Sequence, residues 1–278
     1  MSTQKQVNAR HRRTLAPRKA KLGQNFLVDQ NAARLIVDAL GEMSQSVVVE
    51  IGPGRGVLTQ LTAERARHLL AIEFDSMLAH DLRAAFASSG NVEIIEGDFL
   101  KVQLPQLLLH DKSVKVIGNI PYYITSDILL HLFEQHASIE TIVVMVQKEV
   151  ADRLAAAPGN RDYGLLTVTA NLFADVELLF TLPPGAFSPP PQVHSSVLRL
   201  RISPKAPALQ IDSDEFLEFC KLGFAQKRKT LFNNLRGRYG EKQIRLAMER
   251  AAVRADARAE ALSLVQLAAI YRAIKGDT

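Results

Sequence analysis

The sequence predicts an α/β chain: an open, Rossmann-like nucleotide-binding sheet followed by a smaller, purely helical segment. Three observations predict it. Val47-Val48-Val49-Glu50-Ile51 reads as a buried strand and runs into Gly52-Pro53-Gly54-Arg55-Gly56, with a helix from Val57. Strand, glycine turn and helix form the first unit of a nucleotide-binding α/β fold. Further β-branched runs then alternate with helical periodicity as far as Arg201. Past a Pro-containing link at 202–208, helical segments near 212–238, 241–253 and 262–275 follow without a strand. The expected division is a basic flexible arm at 1–21, an α/β domain at 22–204 and a helical domain at 205–278.

Composition narrows the function. The chain has 278 residues, one Cys and no Trp, room for one large and one small domain. A lone Cys220 excludes an internal disulfide framework and suits a reducing compartment, so a cytoplasmic location is expected. No run of 18 apolar residues occurs, so no membrane span is predicted. The seven His residues are scattered without metal-ligand spacing, and no metal is predicted.

The net charge of +5 hides a strong asymmetry. Residues 1–21 carry Lys5, Arg10, Arg12, Arg13, Arg18, Lys19 and Lys21 without an acid. Residues 221–240 carry Lys221, Lys227, Arg228, Lys229, Arg236 and Arg238, again without an acid. One such cluster is commonly a solvated face; two in one chain point to a polyanion such as nucleic acid. The Arg-rich start also suits a transit peptide, although Ser is scarce in it.

In chain order, Asp29 is the expected N-cap of a helix with Leu35, Ile36, Ala39 and Leu40 on one face, closed by Gly41. The turn at 52–56 is G-x-G-x-G; the dinucleotide fingerprint would need glycine where Val57 stands, and no P-loop occurs. The strand at 69–73 ends in Glu73, 21 positions beyond Gly52, where a carboxylate can take two ribose hydroxyls. A helix through Phe86 and a strand at 92–95 follow, ending in Glu96-Gly97-Asp98. Asp98 can accept from an adenine amine. The glycine turn, Glu73 and Asp98 thus stand at three successive strand ends and outline one nucleoside groove.

The next strand, from Val114, ends in Gly118-Asn119-Ile120-Pro121-Tyr122. Pro121 lacks an N–H and keeps Ile120 out of the helical region, so the chain leaves the sheet extended. This arrangement suits an exocyclic amine on a flat ring. Asn119 Oδ1 and the Ile120 carbonyl supply two acceptors for an –NH2 group, and Tyr122 supplies a stacking face. The same residues also suit an ordinary strand-ending turn. Ser126 is the expected cap of the next helix, and 141–146 the next strand. A helix that starts at 147–151 and is broken by Pro158-Gly159-Asn160, and another at 163–173, precede an antiparallel pair at 176–180 and 196–201. Between the pair lies the stiff loop Phe187-Ser188-Pro189-Pro190-Pro191-Gln192-Val193.

Together these motifs resemble the ribosomal RNA adenine dimethylases, the KsgA group, from about residue 20 to the end. The resemblance rests on L-G-Q-N-F-L at 22–27, V-E-I-G-P-G-R-G-V-L-T at 49–59, I-E at 72–73 and E-G-D at 96–98. N-I-P-Y-Y at 119–123, Q-K-E-V-A at 147–151 and F-S-P-P-P-Q-V at 187–193 complete it. The Erm resistance methylases share N-I-P-Y; the last two motifs, and Q-K-R-K-T at 226–230, resemble KsgA more.

The resemblance implies a seven-stranded S-adenosylmethionine-dependent methyltransferase sheet with a small helical RNA-binding domain. It implies N6,N6-dimethylation of two adjacent adenosines in the 3′-terminal hairpin loop of 16S rRNA, within the pre-30S subunit, by a monomer. Carried over by position, the cofactor groove is Asn25, Leu27, Gly52, Glu73, Asp98 and Asn119. The target base is held by Asn119, Ile120 and Tyr122, with Phe187 on its other face. Tyr123 receives no role. The competing readings are a nicotinamide oxidoreductase, which leaves N-I-P-Y unexplained, and a non-catalytic RNA-binding assembly factor.

Overall fold

The computed structural model describes residues 24–107 and 113–276. The basic arm expected at 1–21 lies outside the described residues. The elements run β1 (Phe26–Leu27), α1 (Gln30–Asp38), β2 (Val47–Ile51), α2 (Val57–Ala63), β3 (His68–Glu73), α3 (Ser76–Ala85) and β4 (Val92–Glu96). Then come α4 (Leu104–Leu107), β5 (Val114–Asn119), α5 (Thr125–Glu134), β6 (Ile139–Gln147), α6 (Lys148–Leu154) and α7 (Leu165–Phe173). The chain closes with β7 (Ala174–Leu182), β8 (Phe187–Ser188), β9 (Ser195–Ile202), α8 (Ala206–Leu209), α9 (Ser213–Gly223), α10 (Leu231–Leu235), α11 (Glu241–Arg250) and α12 (Leu264–Lys275).

The expected seven-stranded sheet is present, in the order β4-β3-β2-β5-β6-β9-β7. Strands β2 to β6 run parallel within it, and β9 lies antiparallel between β6 and β7. Each strand divides its residues between two apolar layers, as a period of two dictates. From β6, Ile142, Val144 and Val146 enter the layer under α5, α6 and α7, while Val143 and Met145 enter the layer under α1 and α2. The helical tail extends the first layer: Phe216, Phe219, Leu231, Ile244 and Tyr271 belong to the same buried cluster. The boundary expected near residue 205 falls between β9 and α8, and that cluster runs continuously across it.

Three local expectations need correction. Leu35 is 55% exposed, and the buried residues of α1 are Ala32, Ala33, Ile36 and Val37. Ser126 does not cap α5; the helix starts at Thr125, whose Oγ1 donates to the carbonyl of Pro121 at 3.1 Å. The turn after Pro121 feeds directly into the helix, so no separate cap is required. The helix expected over 212–238 is two helices, because α9 stops at Gly223 and Thr230 caps α10. The Q-K-R-K-T stretch is therefore a loop, with Lys227, Arg228 and Lys229 exposed.

Strand order reverses between β2 and β5, which places a crevice beyond their carboxyl ends. Gly118 makes that junction possible. It stands opposite Ile51 in register, and a Cβ there would lie 2.8 Å from the Ile51 carbonyl oxygen. Gly118→Ala is expected to cost about 1–3 kcal/mol, as overpacking does. In urea unfolding this lowers the midpoint at unchanged slope; an unchanged midpoint would show that β2 and β5 can separate freely.

Candidate active site

A cavity of about 290 Å³ opens at the carboxyl ends of β2, β3, β4 and β5. The glycine turn forms one wall. Gly54 has φ +59°, a conformation suited to glycine, and a Cβ on it would lie 2.9 Å from Phe26 Cδ1. The Phe26 ring therefore packs directly on the turn. Strand β1, which carries this ring, pairs antiparallel with β8, so that Leu27 faces Phe187 and Phe26 faces Ser188 in register. The segment 24–27 is thereby held across the cavity, and Asn25 and Leu27 line it.

Glu73 ends β3 buried, yet lines the cavity. Its Oε2 accepts from the Gly54 N–H at 2.9 Å and its Oε1 from the Asp75 N–H at 2.9 Å. One carboxylate thus fixes the glycine turn to the next strand end and still presents remaining lone pairs. Asp98, on the next loop, accepts from the Leu100 N–H at 3.1 Å and is partly exposed to the cavity.

Asn119 sits where these walls meet. Its Nδ2 donates to the Asn25 carbonyl at 2.8 Å, so an acceptor fixes which way the amide points. The amide's donor side is engaged by the strap, and Oδ1 is available as an acceptor. Ile120 is anchored by its N–H, which donates to the Met145 carbonyl at 3.1 Å. The Tyr122 hydroxyl lies 2.5 Å from Ser195 Oγ at the start of β9, and burial pushes its pKa upward. The ring is therefore held in place by a bond at its far end.

Asn25, Leu27, Gly52, Glu73, Asp98, Asn119, Ile120 and Tyr122 all line this one cavity. Phe187 does not. It is buried among Leu27, Met145, Leu182 and Val197, and its backbone pairs with Leu27. It backs the wall of the cavity rather than forming it.

The lining residues without a role in the sequence reading include Glu50, Arg55, Phe74 and Tyr123. Glu50 could have been found as the one acid in the otherwise apolar run VVVEI. It is buried, and its Oε2 has no hydrogen-bond partner. Burial raises its pKa to about 8, with repulsion from Glu73 adding to the push. The folded chain therefore holds this proton to higher pH than the unfolded chain. Stability associated with it is complete below the ordinary carboxylate range and is lost as pH rises toward about 8. Glu50→Gln is expected to flatten that loss. Urea midpoints at pH 5 and pH 8 should then differ less in the variant than in the parent; equal differences would refute the buried-acid assignment.

Among the described residues no cluster of His, Cys, Asp and Glu could hold a metal ion. No described helix is long and apolar enough to cross a membrane.

The chain matches the ribosomal RNA adenine dimethylase family over residues 16–275. It is 53% identical to the ribosomal RNA small subunit methyltransferase A of Koribacter versatilis, covering 93% of this chain and 95% of that protein. It is 55% identical to the protein of the same name from Acidobacterium capsulatum, covering 92% and 91%. Among solved structures, the 23S rRNA methyltransferase ErmE superposes with a TM-score of 0.71 at 27% identity, covering 90% of this chain and 100% of that one. A dimethyladenosine transferase from Plasmodium falciparum superposes with a TM-score of 0.78 at 24% identity, covering 91% and 98%, and shares the fold. With a family match that runs nearly the whole length and places each cavity-lining motif inside it, the chain belongs to the ribosomal RNA adenine dimethylase family.

Proposed function

We propose that this protein transfers methyl groups from S-adenosylmethionine to N6 of two adjacent adenosines in the 3′-terminal hairpin loop of 16S rRNA. The products are N6,N6-dimethyladenosines, formed during maturation of the pre-30S subunit in the cytoplasm by a monomeric enzyme. The observation that carries this reading is the Asn119 amide. With Nδ2 committed to Asn25, its Oδ1 stands between a nucleoside-sized groove and the aromatic turn.

The residues present fit the cofactor. Among the described residues lining the cavity, Glu73 and Asp98 are acids and Arg55 is basic, while the buried Glu50 holds its proton to about pH 8 and leaves one carboxyl oxygen without a partner. A cationic ligand would meet two carboxylates there and would favour the ionised form of the third acid. When bound, the cofactor supplies a methyl group on a sulfonium, with a neutral thioether as leaving group. Gly52 allows close backbone approach, Glu73 takes ribose hydroxyls, Asp98 accepts from the adenine amine, and Asn25 and Leu27 cover the groove.

The target amine is a poor nucleophile, because its lone pair is delocalised into the purine. Asn119 Oδ1 and the Ile120 carbonyl accept its two hydrogens and favour the pyramidal form that can attack. No strong base is required, since the methylated nitrogen is acidic and loses its proton late. Fixing the orientation of the amine beside the groove that would hold the cofactor would supply up to about 7–11 kcal/mol of the acceleration. The adenine must leave its stack to reach the cavity. Stacking on Tyr122 returns roughly 1–3 kcal/mol toward that cost. Phe187, packed behind Leu27, would reach the other face only if the β1–β8 pair shifted.

RNA affinity comes from basic surfaces. The helical part from residue 205 onward exposes Lys221, Lys227, Arg228, Lys229, Arg236 and Arg238, and we assign it to RNA binding. The test is transfer of labelled methyl from S-adenosylmethionine to 30S and 50S particles that lack dimethyladenosine, followed by nucleoside analysis. Label in N6,N6-dimethyladenosine of the 30S particle supports the proposal. Label in the 50S particle alone would replace it with an ErmE-like specificity.

A further inference from the structure

Arg55 is the basic side chain among the described residues that line the cavity. It is exposed, and its guanidinium carbon lies 4.5 Å from the centroid of the Phe26 ring. Among the described residues it enters no ion pair and no hydrogen bond. The nearest strand-end acids are otherwise engaged, Glu73 with two backbone amides and Asp98 with the Leu100 amide. An aromatic platform therefore holds a cation at the mouth of the cavity with its N–H donors unspent.

We propose that Arg55 binds a backbone phosphate of the RNA beside the extruded adenosine and so fixes the strand at the cavity mouth. This rests on the function proposed above. A guanidinium carbon placed over a ring leaves the planar fork of N–H donors unspent, and that fork matches a phosphate with two parallel hydrogen bonds. The ring packs closely on the glycine turn, since a Cβ at Gly54 would lie 2.9 Å from Phe26 Cδ1. Its position favours RNA over the cofactor. Arg55 is exposed, and the ring under it belongs to β1, whose Phe26 is the register partner of Ser188 next to the Pro-rich loop. A nucleotide whose base enters a cavity of about 290 Å³ leaves its sugar and phosphates at this rim. The rival anion is a carboxylate on the cofactor.

Steady-state methyl transfer to 30S particles lacking dimethyladenosine, measured at several salt concentrations, tests the assignment together with calorimetry of S-adenosylhomocysteine binding. Arg55→Ala should raise KM for the particle about tenfold with little change in kcat, the loss expected for one charge-assisted contact. It should reduce the slope of log KM against log salt by about 0.7, the share of one phosphate. Arg55→Lys should restore the slope but only part of KM, because a point charge lacks the fork and the stack. Binding of S-adenosylhomocysteine should be unchanged in both variants. Unchanged KM and slope in Arg55→Ala, with the parent active, would overturn the assignment alone. Weakened S-adenosylhomocysteine binding would also overturn it, by giving Arg55 to the cofactor carboxylate. A parent protein that leaves 30S adenines unmodified would instead overturn the function on which the assignment rests.

Discussion

Asn119→Ala is expected to lower methyl transfer to 30S particles by about 10²–10³-fold or more, while RNA affinity persists. Removal of a single preorganised polar group aimed at developing charge has that magnitude in other enzymes. Here the group does two things at once. Nδ2 ties the β5 end to the Asn25 carbonyl, and in the proposed reaction Oδ1 takes a hydrogen of the target amine. Asn119→Asp separates these roles. It keeps an oxygen for the amine but sets a second oxygen against the Asn25 carbonyl, where a donor is required. Both variants should therefore fail, and Asn119→Asp should in addition weaken S-adenosylhomocysteine binding by loosening the segment at 24–27. Single-turnover transfer at saturating particle, with calorimetry of the cofactor product, checks both. Normal turnover by Asn119→Ala would remove the amide from the mechanism.

What was legible in the sequence depends on how local each signal is. Strands β2, β3, β4 and β5 end within a residue or two of their expected positions, because each couples a β-branched run to a turn of Gly, Pro or acid. The groove at 52, 73, 98 and 119 was legible for the same reason: parallel strands bring their carboxyl ends together. Pairings between distant segments left no such trace. Nothing near Phe26 announces that it pairs with Ser188. That pairing buries Phe187, covers the groove with Asn25 and places the ring under Arg55. A lone loop phenylalanine is more often packed than functional; the resemblance offered Phe187 to the base, and its packed position shows only once its partner strand is known. Leu35 failed for a smaller reason: it lies one position, about 100° of helical rotation, from the buried Ile36, beyond the edge of the apolar stripe. The second duty of Glu73 was also hidden. An acid at a strand end predicts a ribose contact, but its grip on Gly54 and Asp75 requires the tertiary geometry.

The grip on Gly54 and Asp75, with the ribose contact proposed for the same carboxylate, makes Glu73→Ala the other large expected effect. Cofactor affinity should fall by at least about 100-fold, since hydrogen bonds to a charged group contribute roughly 1.5–3 kcal/mol each and two hydroxyls are at stake. Part of any loss could instead come from the glycine turn, because the Gly54 and Asp75 amides lose their shared acceptor. A 2′-deoxy analogue of S-adenosylhomocysteine separates the two in a double-mutant cycle. The parent should bind the analogue more weakly than S-adenosylhomocysteine, whereas Glu73→Ala should bind the two about equally, because the carboxylate that distinguished them is gone. A variant that still discriminates between them would confine Glu73 to holding the turn. Glu73→Gln sharpens the test. Its amide can accept from only one of the two N–H groups and sets an NH2 against the other, so it should retain one ribose bond at most while disturbing the turn. If Glu73→Gln discriminates as the parent does but unfolds at lower urea, the ribose contact and the fixing of the turn are separable. If discrimination and stability fall together, one carboxylate couples the geometry of the glycine turn to recognition of the sugar.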